Sequence, residues 1–124
     1  LRKQHGMAAM AILKFDEIKE KLSKGNVVID DLYSWSEYLF LKEKFPDLVV
    51  IATFTKRSLR YERMASRPHR PYTKEELDSR DYTEINNIEK GGPIAIAGFT
   101  LINNSSIEEL QKKVGLILKE IGFQ

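Results

Sequence analysis

Apolar positions Ala11, Phe15, Ile18 and Leu22 recur at spacings of 4, 3 and 4 with Lys and Glu between them, which predicts a helix over 7–23 closed by Gly25. Asn26–Asp31 breaks this rhythm with the apolar run Val27-Val28-Ile29 and reads as a short strand ending in two carboxylates. Ser34 with Glu37 three residues on is a capping box; the helix it opens stops at Phe45-Pro46, where proline ends it. Leu48–Phe54 is apolar and mostly β-branched without polar alternation, the pattern of a strand covered on both faces in a parallel sheet. Behind it comes a basic helix. Lys56, Arg60, Arg63 and Arg67 are spaced 4, 3 and 4, so they share one side, immediately beyond the carboxyl end of the strand, where open α/β sheets bind ligands. Arg67–Tyr72 holds two prolines and reads as a loop. A second capping box, Thr73 with Glu76, opens a helix to about residue 88, and Gly91-Gly92-Pro93 reads as a firm break. The third strand is Phe99–Ile102. A third capping box, Ser105 with Glu108, starts a last helix whose apolar face is Ile107, Leu110, Val114, Ile117 and Ile121.

Helices and strands alternate, which predicts a three-layer α/β fold around a short, mostly parallel sheet with right-handed crossovers. At 124 residues the expectation is a single domain, 1–124, with a lid region over about 56–90. Three parallel strands leave two open edges, so a homo-oligomer formed through an exposed sheet edge is expected.

Composition narrows the function classes. The 42% hydrophobic and 31% charged fractions are those of an ordinary soluble chain, and no apolar run approaches the roughly 20 residues a bilayer-spanning helix needs. With no cysteine, disulfides and thiolate metal sites are excluded and a cytoplasmic location is expected. The net charge of +2 argues against a nucleic-acid partner, but residues 56–74 alone carry seven Lys/Arg against one Glu. The positive charge therefore sits on one segment, and an anion, phosphate first, is its expected ligand.

Five stretches carry a family resemblance: Val28–Tyr38 (VIDDLYSWSEY), Leu59–Met64 (LRYERM) with Arg70-Pro71, Arg80–Ile85 (RDYTEI) and Glu89–Ala95 (EKGGPIA). In this order they resemble the carboxyl-terminal two-thirds of P-loop small-molecule kinases, an AAA-type ATPase group related to dephospho-coenzyme A kinase and the nucleoside monophosphate kinases. The Gly-rich turn ending in Gly-Lys-Ser/Thr that cradles phosphates in such proteins does not occur in this sequence. The resemblance implies that an amino-terminal βα unit of roughly 60 residues is missing, judged from ordinary unit lengths. Its strand would lie between 26–31 and 48–54, so those strands are expected to close up or another chain to fill the gap.

Residue by residue, the resemblance implies a catalytic and magnesium-binding role for Asp30, and lid roles on the transferring phosphoryl group for Arg63, Arg67 and Arg70. Arg80 and Asp81 match the arginine–aspartate pair after the lid, and Asn103, Asn104 and Ser105 lie where a loop would run beneath adenine. Arg70, Arg80, Asn104 and Ser105 are thus the expected nucleotide contacts. Asp31 stands where the family usually has Gly, and Gly98 where it usually has Asp. The implied function is the core-and-lid portion of an ATP- and Mg2+-dependent kinase acting on a nucleotide or other small phosphorylated acceptor, inactive without a phosphate loop. The alternative is a non-catalytic nucleotide- or phosphate-binding module that acts through a partner subunit.

Bland readings stand beside these. Asp30 and Asp31 can simply shape a turn, and the arginine stripe can be a solvated face partnered by Glu62. His5 and His69 are ordinary surface residues, and Trp35, Tyr38, Phe40 and Phe45 are core and interface rather than a base-stacking platform. Ser34, Ser105 and Ser106 are helix caps, with no glycine-flanked nucleophile elbow around them.

Overall fold

A computed structural model describes residues 8–30, 32, 34–87 and 89–123. Among these the order is α1 (Ala9–Leu22), α2 (Trp35–Lys44), β1 (Ile51–Phe54), α3 (Arg57–Ser66), α4 (Lys74–Asn86), α5 (Gly91–Ile96), β2 (Phe99–Ile102) and α6 (Ile107–Glu120). The fold is mixed α/β, as the alternation of patterns predicts. Its sheet is a parallel pair, β1 beside β2, with Ile51 opposite Phe99 and Phe54 opposite Ile102. A parallel pair requires a crossover, and α3, α4 and α5 supply it. Both strands therefore end at the same edge, next to α3.

Two helices make the main core. Ala11 and Ile18 of α1 meet Leu41 of α2, with Val27, Leu32, Phe40, Phe45 and Leu48 packed around them. Phe15 joins this layer through Phe40, edge to face at 6.0 Å, and Phe45 at 5.6 Å. Phe40 and Phe45 thus pack on the core, as the bland reading expects, while Trp35 and Tyr38, half-buried, stack on each other.

Three expectations need correction. Residues 26–30 form no strand: Val27 packs on the α1–α2 core while Val28 is 78% exposed, and no neighbouring backbone offers them a ladder. Asp31 lies outside the described residues. The two strands do not close up, because among the described residues β1 pairs with β2 alone. Second, Gly91-Gly92-Pro93 opens the short helix α5 instead of only breaking the chain. Pro93 is the third residue of that helix, inside the first turn, where an N–H has no intrahelical acceptor and its loss costs nothing. Third, α6 is capped by Ser106, whose Oγ accepts from the Glu109 N–H at 3.2 Å, one position later than predicted. The other two caps form as predicted: Ser34 accepts from the Glu37 N–H, and Thr73 and Glu76 make a full reciprocal box.

Candidate functional site at the helical hairpin

The carboxyl ends of β1 and β2 are tied to α3 by a dense set of hydrogen bonds. The Asn103 N–H donates to the Phe54 carbonyl at 2.6 Å, and Thr55 Oγ1 donates to the Asn103 carbonyl at 3.1 Å. Lys56 has no cap of its own, so the Asn104 side-chain oxygen accepts from its N–H at 2.7 Å and serves as a cap from across the chain. Arg63, one and a half turns into α3, donates to the carbonyls of Asn103 at 2.9 Å and Ser105 at 3.2 Å. The structure therefore sets Arg63 against the loop that carries Asn104 and Ser105. Among the described residues Arg63's partners are neutral carbonyls, with no carboxylate to balance its charge.

The arginines of α3 and its surroundings fall into two sets. Arg57 and Arg60 face α4 and meet Asp81: Arg60 binds it in a two-pronged fork at 2.7 and 3.0 Å, and Arg57 Nε adds a third bond at 3.1 Å. Arg57 also reaches Asp78 at 2.9 Å, and the Tyr61 hydroxyl accepts from Arg57 and shares its proton between Asp78 and Asp81. This clamp fastens α3 to α4. Glu62 does not partner these arginines; Asp78 and Asp81, 21 or more residues downstream, do.

The second set lies at the far end of the helical hairpin. Arg67 Nε donates to the Arg70 carbonyl at 2.6 Å, and Arg70 reaches that position with a left-handed backbone, φ 52°. Tyr72 lies against both Arg67 and Arg80, whose guanidinium carbons are 4.9 and 5.0 Å from its ring centre, and Arg80 also donates to the Tyr72 hydroxyl at 2.7 Å. Among the described residues Arg63, Arg67, Arg70 and Arg80 form no ion pair with a carboxylate, whereas Arg57 and Arg60 do. The resemblance pairs Arg80 with Asp81, but the two diverge: Asp81 turns to α3 and Arg80 to Tyr72.

Asp30 makes no contact with this group among the described residues. It is exposed in the irregular segment after α1, and among the described residues it forms no hydrogen bond or ion pair. No set of three or more metal-ligating side chains is gathered among the described residues. An open cleft of about 490 Å³ lies elsewhere, between the start of α2, the end of α4 and α5, lined by Trp35, Ile85, Glu89, Gly92 and Ile96 among others. Glu89 has a left-handed backbone, φ 64°, and its carboxylate accepts from Ser36 Oγ at 2.9 Å. Sequence reasoning passed over Asp78, Tyr61, Tyr72 and this cleft. The available signal was the spacing of Asp78 and Asp81, which puts both on one face of α4, as Arg57, Arg60 and Tyr61 share one face of α3.

The clamp sets a pH dependence. The Arg60 fork first, and then Arg57, hold the Asp81 carboxyl down to about 2, while the Tyr61 hydroxyl and Lys74 lower Asp78. Partial burial and its donation to the two aspartates push Tyr61 up to about 12. A carboxylate whose folded pKa is depressed stabilises fully above its unfolded value near 4 and loses that contribution as pH falls toward 2. Tyr61 acts at the other end: its contribution is complete below about pH 10 and disappears as pH rises through about 12. Amide exchange along α3 and α4 is accordingly expected to be slowest between about pH 4 and 10 relative to the intrinsic rate. Acceleration of α1 amides ahead of α4 amides as pH drops below about 4 would contradict the assignment.

Among the described residues no helix is long and apolar enough to cross a membrane. No family model matches the chain. It is similar to UPF0200 proteins of archaea: 35% identical to that of Thermococcus gammatolerans over 126 residues, covering 98% of this chain and 66% of the relative. The UPF0200 protein of Thermococcus kodakarensis is 34% identical, with 98% and 68% covered, and that of Sulfurisphaera tokodaii 35%, with 98% and 67% covered. The chain thus spans about two thirds of the length of the relatives it matches.

Proposed function

The chain belongs to the UPF0200 family, and from its lid geometry we propose that it is the core-and-lid portion of an ATP-dependent small-molecule kinase related to the P-loop kinases. The observation that carries this reading is the division of the arginines. Arg57 and Arg60 are paired with Asp78 and Asp81, but Arg63, Arg67, Arg70 and Arg80 meet no carboxylate among the described residues, beside the carboxyl ends of the strands and along the helical hairpin. Guanidiniums without a carboxylate among the described residues, of which Arg63, Arg67 and Arg80 are held by hydrogen bonds, are suited to phosphate oxygens, which accept two parallel N–H bonds from one fork. ATP fits this donor set. Arg63, joined to the Asn103–Ser105 loop, would fix the lid's root against the nucleotide, while Arg67, Arg70 and Arg80 would offer charge to its phosphates. Catalysis of this kind rests on orientation and charge neutralisation, with no covalent intermediate.

Magnesium in phosphoryl-transfer sites is held by one or two carboxylates and the substrate's own oxygens. Asp30, exposed and unengaged, is the carboxylate we assign to it, together with alignment of the acceptor hydroxyl. The phosphate loop would lie in the third of the relatives' length that this chain does not span. The apolar segment Val27–Ile29 and the open edge of β1 favour an additional strand there, or a second copy of the chain. A cytoplasmic location accords with an ATP-using protein free of cysteine.

The experiment is calorimetric titration of this chain with MgATP, MgADP and tripolyphosphate. Weak but saturable binding is expected, with Arg67→Ala and Arg80→Ala each weakening it roughly tenfold, the value of one lost charge-assisted contact. No saturable binding of any of the three would sink the reading. A second reading, a phosphate-binding module without transfer, is favoured by Asp30 making no contact with the arginines among the described residues. Transfer of labelled phosphate to nucleoside monophosphates or dephospho-coenzyme A, assayed with a protein of the relatives' full length, separates the two.

A further inference from the structure

Arg67 and Arg80 carry like charges, come from different elements and, among the described residues, share no carboxylate. Left to solvent, two such side chains would spread apart and lose rotamer order. What holds them is one residue. Tyr72 offers its electron-rich face to both guanidiniums and its phenolic oxygen to Arg80. It is itself half-buried, and its backbone N–H is anchored to the Met64 carbonyl of α3 at 3.2 Å. Arg67 is fixed a second time through the Arg70 carbonyl. These contacts consume Arg67 Nε and one terminal nitrogen of Arg80, so the other N–H groups of both forks remain for a ligand.

We propose that Tyr72 is a positioning residue that preorganises Arg67 and Arg80 as a paired site for a di- or triphosphate chain. It rests on the phosphate-gripping reading above and adds what makes the grip possible. Two guanidiniums whose central carbons lie 4.9 and 5.0 Å from one ring centre are within the span of a single polyphosphate, and their charges sum to that of a short run of phosphoryl groups rather than of one carboxylate. Because the ring meets the cost of ordering both forks before the ligand arrives, removing it weakens binding without removing any ligand contact.

The test follows the arginine side-chain signals by NMR while tripolyphosphate is titrated into the wild-type chain and into Tyr72→Phe and Tyr72→Leu. In the wild type, ring-current shielding should move the Arg67 and Arg80 side-chain protons upfield before any ligand is added. Tyr72→Phe should keep the shielding but free the Arg80 fork, with affinity down about threefold; Tyr72→Leu should lose the shielding, with affinity down roughly tenfold. Citrate serves as the carboxylate control and should bind all three proteins equally weakly. Unshielded arginines in the wild type, or wild-type affinity in Tyr72→Leu, overturns the role of Tyr72 and leaves the phosphate reading standing. Shielded arginines with no tripolyphosphate binding overturns the phosphate reading itself, and the paired site falls with it.

Discussion

Asp81→Ala is expected to lower stability by about 2 kcal/mol, and with it the thermal midpoint by roughly 8 °C. The side chain of Asp81 is only 13% exposed and accepts from Arg60 twice, from Arg57 and from Tyr61. Its removal leaves donors on three side chains without their shared acceptor. A surface ion pair would be worth a few tenths of a kcal/mol, so the size of the loss distinguishes a clamp from a decorative pair. Asp78→Ala should cost less, because Asp78 is more exposed and Asp81 remains to accept from Arg57, Arg60 and Tyr61. The loss should also be local: amide protection of α3 and α4 should fall before that of α1 and α2, whose contact is the separate apolar core of Ile18 and Leu41. Uniform loss of protection across all helices would show that the hairpin is not an independently weakened unit.

That clamp marks the boundary of what the sequence makes legible. Helices α1 and α6 are visible from a 3.6-residue apolar rhythm and α2 and α4 from their caps, since Ser34 and Thr73 cap where the pattern places them, whereas α5 has no side-chain cap and reads in sequence as a break. The strands β1 and β2 are visible as unbroken apolar runs. Asn26–Asp30 carries the same apolar signal and is no strand, because a ladder depends on a neighbour that local sequence does not encode. The candidate site divides in the same way. A stripe of arginines at helical spacing is readable from residue numbers, and so is its place after β1. Which arginines are neutralised is not readable. It depends on α4 lying against α3, which puts Asp81 against Arg57 and Arg60 and leaves Arg67 and Arg80 to Tyr72. Asp30 shows the converse: a residue chosen by resemblance whose surroundings, in the described residues, add nothing to it.

Gly91 and Gly92 are adjacent and look interchangeable in sequence, but the structure predicts opposite responses to substitution. A Cβ at Gly91 would meet nothing within 4 Å, whereas one at Gly92 would stand 2.6 Å from Cε3 of Trp35 and 3.0 Å from two further atoms of that side chain. The indole has little room to yield, since it stacks on Tyr38 with ring centres 5.1 Å apart and planes 18° from parallel. Two effects compete at each position. Replacing a helical glycine by alanine is worth up to about 1 kcal/mol through the unfolded chain, and overpacking costs about 1–3 kcal/mol. At Gly91 the first acts alone, so Gly91→Ala should be neutral to slightly stabilising. At Gly92 the clash wins: Gly92→Ala should lose about 1 kcal/mol net, and Gly92→Val, bulkier and β-branched, about 3 kcal/mol. Trp35 is the chain's one tryptophan, so its fluorescence reports the displacement directly. Emission should change in both Gly92 variants and stay fixed in Gly91→Ala. An unchanged spectrum together with unchanged stability in Gly92→Val would mean that α5 does not press against the indole, and that the cleft between them is not built as described.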